Sequence, residues 1–340
     1  MYAALDIGGT KIAGALVDAE GRVVHRVQHP TPAQESARAL MDAVESALDA
    51  LAQDARWSEI RGLGIASAGP VDTVAGTVSP VNIPAWRAFP LVAEVRAHPE
   101  VFTGIEPVLI GDAVAMAAAE HWQGAARGYD NALCMVVSTG VGGGLILKGR
   151  LFPGRSGNAG HIGHISVDLD GSVCPCGARG CVEGLAGGPA IARQAREAGW
   201  TPPHGDAPTA EAVAADAHRG DPRALAAFER AGQALAAAIA ATATLVEIDV
   251  AVIGGGVAQA GEVLFAPLRQ HLGDYAVLDF VRGLEVRAAV LAQDAGLVGA
   301  AAAARALPHS APVAGAPVAG APAADGADRR DTKPVQLEGA

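Results

Sequence analysis

Apolar and polar positions alternate, or run in short blocks, in a way that predicts strands first and helices between them. Residues 2–7 (YAALDI) and 12–17 (IAGALV) read as two strands joined by a tight turn at Gly8-Gly9-Thr10, and residues 22–28 as a third strand after the turn Asp18-Ala19-Glu20-Gly21. Thr31-Pro32-Ala33-Gln34 has the order of a helix cap, a first-turn proline and a capping-box partner. The spacing of Leu40, Val44, Leu48 and Leu51 then predicts a helix with one apolar stripe. Strands are expected at 62–66, 107–111 and 132–138, with an Ala-rich helix between the last two that ends near Gly124. Beyond Ser138-Thr139-Gly140-Val141-Gly142-Gly143-Gly144 a further strand is expected at LILK. Helices are expected at 187–198, 209–218 and 222–246, where Asp221-Pro222 is a cap followed by a first-turn proline. A strand at 249–253, a helix at 262–272, a strand at 285–291 and a helix at 296–306 complete the ordered pattern. From Leu307 the A-P-V-A-G repeats and mixed charge predict a disordered tail over 307–340.

A length of 340 residues suggests two domains. Half of the residues are apolar but only 4% are aromatic, so Ala, Val and Leu have to fill the core. The net charge of −11 argues against nucleic acid as the main partner. Residues 231–248 are the most apolar long segment, but Gln233, Thr242, Thr244 and Glu247 interrupt it, which predicts a buried helix and not a membrane span. With no basic, apolar leader at the N-terminus, a reduced cytoplasm is the expected setting.

The densest chemistry lies in residues 157–183, GNAGHIGHISVDLDGSVCPCGARGCVE. Cys174, Cys176 and Cys181 form C-x-C-x4-C, with His164 ten positions upstream, and supply the four N/S ligands of a closed structural zinc site. The competing reading is a disulfide plus a free thiol, which suits a secreted chain better than this one. His161 and His164 are too close for both to be needed beside three thiolates, so one is free to face a cavity. Glu183 rides on the same knot, and a zinc ion there would hold these groups around a polar ligand.

The other candidates are turns and strand ends. Gly8-Gly9-Thr10 and Thr139-Gly140 repeat one strand–glycine turn–strand plan, which suggests a duplicated fold with phosphate held between the halves. Either turn read alone is equally an ordinary hairpin. Gly254-Gly255-Gly256 is a third glycine cluster, a candidate nucleotide-binding turn. Asp112 follows a buried strand and precedes a helix, where α/β folds place working groups, and it suits a helix cap as well. Asn82, in Asn82-Ile83-Pro84-Ala85-Trp86, is either a turn residue or a cleft contact. Cys134 reads as core.

Taken in order, DIGGTK at 6–11, STGVGGG at 138–144, GHIGH at 160–164, CPCGARGCVE at 174–183 and IGGG at 253–256 resemble the ROK family of sugar kinases and repressors. The resemblance spans residues 2 to about 306. It implies an α/β fold of two actin-like (ribonuclease H-like) domains with an interdomain cleft and a zinc-binding loop. The corresponding boundaries are 1–111 for the N-terminal domain, joined by the C-terminal helix 295–306, and 112–294 for the C-terminal domain, with the zinc knot at 164–181.

The resemblance implies ATP-dependent phosphorylation of a sugar 6-hydroxyl, with Asp112 as base and His164, Cys174, Cys176 and Cys181 on structural Zn2+. It further implies that His164 and Glu183 face the sugar, and that the assembly is a homodimer. Phosphates of Mg-ATP are expected between Gly8, Gly9, Thr10 and Thr139, Gly140, with Gly255 and Gly256 near the nucleoside. Asp6 would position Mg2+ through water, and Lys11 is open to either a chain or a phosphate contact.

Two positions depart from the family pattern. His161 stands where the family usually has Glu, as is similar in bacterial N-acetylmannosamine kinases. Gly111 and Val114 replace two Asn residues, which shifts sugar contacts toward Asn82 or alters them. N-acetylmannosamine is therefore the expected substrate and glucose the alternative. A repressor of the family would carry a DNA-binding winged helix ahead of the segment that starts here at Asp6. A sugar sensor without catalysis stays open because of Gly111. An actin-like structural ATPase would not account for the zinc knot.

Overall fold

The computed structural model describes residues 1–102, 104–202 and 207–306. The expected tail at 307–340 lies outside the described residues.

β1 (Tyr2–Ile7), β2 (Lys11–Val17) and β3 (Val23–Pro30) form an antiparallel meander. α1 (Ala37–Ala52), β4 (Leu63–Ser67), a small hairpin of β5 (Val71–Asp72) and β6 (Thr77–Val78), α2 (Leu91–Arg96), β7 (Pro107–Gly111) and α3 (Asp112–Gln123) follow. β4 and β7 add in parallel to β1, so the first sheet runs β3-β2-β1-β4-β7. β8 (Ala132–Val137), β9 (Val141–Leu147) and β10 (Arg150–Phe152) form a second meander. α4 (Glu183–Ala186), α5 (Gly188–Glu197), α6 (Ala210–His218), α7 (Pro222–Val246), β11 (Val250–Gly254), α8 (Glu262–Tyr275), β12 (Glu285–Ala288) and α9 (Ala295–Ala306) complete the order. The second sheet runs β10-β9-β8-β11-β12, with β11 and β12 again parallel to the central strand. Each half is thus a three-stranded meander extended by two parallel strands, the duplication that the paired glycine turns suggest.

The low aromatic content is compensated by close packing of small residues. α9 lies against α3 so tightly that a methyl group on Gly299 would overlap the Ala115 carbonyl. It lies on β4 in the same way, through Gly64 and the Ala300 carbonyl. Leu297, Ala300, Ala301 and Ala304 share a core with Tyr2, Ala4, Ala13 and Val114, while Ala295 and Val298 share one with Met116, Ala132, Cys134 and Val250. α3 and α9 therefore connect the two sheets. The buried Ala-rich segment forms most of α7, and among the described residues no helix is long and apolar enough to cross a membrane.

The structure corrects the sequence reading at three places. The first helix begins at Ala37, capped by Ser36, whose hydroxyl accepts from the Ala39 N–H at 3.2 Å. Thr31 does not cap it, because its hydroxyl donates to the Gly8 carbonyl at 2.7 Å and its N–H to the Thr10 carbonyl at 3.1 Å. Strand β9 starts at Val141, so Gly142, Gly143 and Gly144 are strand residues and not part of the turn. Gly142 and Gly144 lie beneath Ala113, Val114 and Ala117, which lets α3 approach the sheet. The last strand stops at Ala288 and not at residue 291, because the buried Glu120 carboxylate accepts from the N–H groups of Val290 and Leu291 at 3.0 and 2.9 Å.

Candidate active site

Parallel strands end together, and their carboxyl ends carry the candidate groups. The register places Asp6 beside Ala66 and Ala66 beside Ile110, two residues before Asp112. Asp112 occupies the first turn of α3, with Gly111 at the cap, so its carboxylate meets the positive end of the helix. Its Oδ1 accepts from the Ala113 N–H at 2.7 Å. The carboxylate is open to water yet set deep among protein atoms. Desolvation raises its pKa, against the Ala113 N–H and His161, which pull it down. Desolvation and then the Asp112 charge lift Asp6 to about 6, while Lys11 and Arg26 oppose the rise. The two carboxylates thus share one field, which fits a site that receives a cation.

The Asp6 side chain also abuts Gly296 at the start of α9, where a methyl group would collide with it. Asn82 is brought to the first glycine turn, its amide lying against Gly9. Gly8 closes that turn through its N–H to the Lys11 carbonyl at 2.9 Å, and Thr10 is exposed at its tip. Val114, one of the departures from the family pattern, is a buried core residue against Gly144 and offers no polar group.

The second glycine turn is closed by the Ser138 N–H to the Gly140 carbonyl at 2.9 Å, with Thr139 exposed. The Gly188 N–H donates to the Ser138 carbonyl at 2.7 Å, which fixes the turn to the start of α5. Gly255 holds φ at +94° beneath Val137, a conformation that favours glycine, and Gly256 comes up to Ser138. The turns at 138–140 and 254–256 are therefore adjacent.

The knot follows directly. His161 and His164 flank one 3-10 turn with ring centroids 5.9 Å apart. The His164 Nδ1 lies 3.8 Å from the Cys174 Sγ, and the Sγ atoms of Cys176 and Cys181 lie 3.7 Å apart. All four candidate ligand atoms fall within 4.8 Å of one another. Ligands at zinc bond lengths on a tetrahedron sit about 3.6–3.8 Å apart, so this donor set fits Zn2+. None of the four cysteines is disulfide-bonded in this structure. Burial first, then the neighbouring thiols, push Cys181 up to about 12, so a bound cation would favour its thiolate. From the knot, Glu183 reaches back to the second glycine turn, where its Oε2 accepts from the Val141 N–H at 2.9 Å.

The site residues therefore form a connected series. Asn82 meets Gly9, Asp6 faces Asp112, Asp112 feels His161, His161 stacks near His164, and the knot leads through Glu183 to Gly140. Sequence reading missed Gly296, Glu120 and Asn158. Gly296 meets Asp6, 290 positions away, and Glu120 joins Ala125 nearby to Val290 and Leu291, about 170 positions on. Asn158, between Gly157 and Ala159-Gly160, carries a local signal as an amide in a glycine-bracketed loop.

A match to the ROK family covers residues 2–306. The chain belongs to the ROK family. It is 35% identical over 309 residues to a glucokinase of Thermotoga maritima, covering 87% of this chain and 95% of the relative. It is 36% identical over 300 residues to an N-acetylmannosamine kinase of Citrobacter koseri, covering 88% and 96%. Among solved structures, a ROK family glucokinase from Streptomyces griseus in complex with glucose and AMPPNP is similar with a TM-score of 0.74 and 34% identity, over 89% of this chain and 99% of that one. A ROK family transcriptional regulator, a homologue of the E. coli MLC protein, is similar with a TM-score of 0.76 and 25% identity, over 89% and 77%. The two mixed sheets are those of a ROK sugar kinase fold, consistent with two-domain, actin-like kinases.

Proposed function

We propose that this chain is an ATP-dependent sugar kinase that transfers a phosphoryl group to the 6-hydroxyl of a hexose or N-acetylhexosamine. The observation that carries the reading is the pairing of Asp112, at a strand end and beside His161, with glycine turns on both sheets. The sugar kinases among its relatives, and the Streptomyces griseus structure with glucose and AMPPNP, support the same reading. In this reading Asp112 accepts a hydrogen bond from the attacking hydroxyl and takes its proton as the bond to phosphorus forms. Its raised pKa brings it nearer to the pH at which a base works well. His161, His164 and Glu183 orient the ring. Backbone N–H groups of Gly8, Gly9, Thr10, Thr139 and Gly140 cradle phosphate oxygens, with Lys11 beside Asp6, and Gly255 and Gly256 approach the nucleoside. Mg2+ would be held near Asp6, through water, and would supply charge neutralisation to the phosphates. Zn2+ would be held by His164, Cys174, Cys176 and Cys181 and would supply structural rigidity.

The substrate we favour is N-acetylmannosamine. An imidazole at 161 can donate a hydrogen bond where a carboxylate only accepts, which suits a differently decorated ring. Glucose is the alternative, supported by the glucokinases among the relatives. The domain division at 111/112, with residues 295–306 returning to the first half, a homodimeric assembly and a reduced cytoplasmic setting belong to the same proposal. ADP release with Mg-ATP over a panel of hexoses and N-acetylhexosamines tests it. Turnover fastest with N-acetylmannosamine is the expected result, and a kcat/KM for glucose well above every N-acetylhexosamine moves the assignment to glucokinase. Sugar binding without ADP release from any of the panel favours the second reading, a catalytically silent sensor. The regulator among the similar structures supports that reading.

A further inference from the structure

The loop that leads into His161 is fastened to the first half of the chain by a side-chain amide and one main-chain hydrogen bond. The Asn158 Nδ2–H donates to the Val71 carbonyl at 2.7 Å, and its Oδ1 accepts from the Val71 N–H at 3.4 Å. The same Nδ2 donates to the Ser156 carbonyl at 3.3 Å and hydroxyl at 3.1 Å, which orients the amide toward β5. One step along, the Thr73 N–H donates to the Ser156 carbonyl at 3.2 Å. Gly157, between the two contacts, holds φ at +91° and lies so close to the Thr73 methyl that a Cβ there would overlap it. The Val71 end is itself braced, because the Asp72 carboxylate accepts from the Val74 and Ala75 N–H groups at 3.0 Å each. His161 follows Asn158 by three residues.

We propose that Asn158 is a positioning residue, whose amide latches the histidine loop to Val71 so that the sugar meets a pre-set His161. This rests on the sugar-kinase reading for its functional consequence, not for the latch itself. Asn carries a donor and an acceptor in one short planar amide, which here matches both groups of a peptide. The contact reads Val71 through its main chain, while the Val71 side chain is buried in the core of the first half. Without the latch, ordering of the loop falls on the sugar at the moment of binding and weakens affinity. The glycine turns keep their own hydrogen bonds, so ATP binding is untouched.

The test compares wild type with Asn158→Asp, which sets a carboxylate against the Val71 carbonyl, and with Asn158→Ala. Two readouts are taken, steady-state kinetics and amide hydrogen exchange of peptides spanning residues 70–76. The expected result is a rise of about tenfold in sugar KM, the scale of losing one to two such hydrogen bonds, with kcat and the KM for ATP nearly unchanged. Exchange at 70–76 should quicken in both variants. A lowered thermal midpoint with an unchanged sugar KM, or exchange at 70–76 equal to wild type, overturns the proposal. If the wild type itself turns over no sugar, the kinase reading fails, and exchange alone then decides whether the latch exists.

Discussion

The Glu183 carboxylate accepts a hydrogen bond from the Val141 N–H at 2.9 Å, and so joins the cysteine knot to the glycine turn at the head of β9. A side chain carried by the knot thereby sets the main chain that is proposed to hold phosphate. Loss of the knot's cation should be felt at both. One zinc ion per chain is expected by elemental analysis, with Cys176→Ser near zero. Removal by chelator should lower the thermal midpoint and weaken sugar binding more than ATP binding in calorimetry. Zinc-free protein with full stability and unchanged sugar affinity would contradict this.

The same relationship makes Gly140 intolerant. A Cβ at 140 would lie 2.6 Å from the Glu183 Oε2, inside van der Waals contact. Gly140→Val should displace Glu183, fill the space next to the turn and abolish nucleotide binding by calorimetry. Unchanged ATP affinity would show that the phosphates lie elsewhere.

The raised pKa of Asp6 has a cost in stability with a definite sign. Its folded value is about 6 against an ordinary 3.8, so the native state binds more protons than the unfolded chain between those values. Stability contributed by the protonated form is present below about pH 4 and is lost as the pH rises through 6. At pH 8, with chelator and no nucleotide, Asp6→Asn should be more stable than wild type, by at most about 3 kcal/mol from the size of the shift. It should also lose most of its turnover. A variant less stable than wild type in denaturant titrations at pH 8 would show that the ionised carboxylate is well compensated.

α9 offers a test of the packing that connects the two sheets. A methyl at Gly299 would overlap the Ala115 carbonyl, and neither helix backbone can yield without moving the start of α3. Gly299→Ala should destabilise by about 1–3 kcal/mol or more, the usual range for overpacking. A thermal midpoint equal to wild type would mean that the helices are held more loosely than this.

What could be read from sequence follows how local each signal is. The strands alternate or run apolar within a few residues, and the C-x-C-x4-C spacing carries its own geometry, so both were legible. Asp112 was legible because a buried strand ends where it stands. Thr31 misled because its cap-like context is real, but its hydroxyl is engaged by Gly8, 23 positions earlier. The glycines of β9 misled for a similar reason, since what they make room for is α3, seen only in the packed molecule. Glu120, Gly296 and Gly299 act through partners distant in sequence. Asn82 reads from sequence as either a turn residue or a cleft contact, and its place against Gly9 depends on how the loop after β6 folds over the first turn.

Asp112 is proposed as the base of an active kinase. The most direct measurement is kcat for ADP release, with Mg-ATP and saturating sugar, in wild type and Asp112→Asn. The substitution keeps size and polarity but cannot accept the hydroxyl proton. A fall in kcat of about 10²-fold or more is expected, the scale of a general base, with sugar binding retained by calorimetry. Turnover near that of wild type in Asp112→Asn would contradict it.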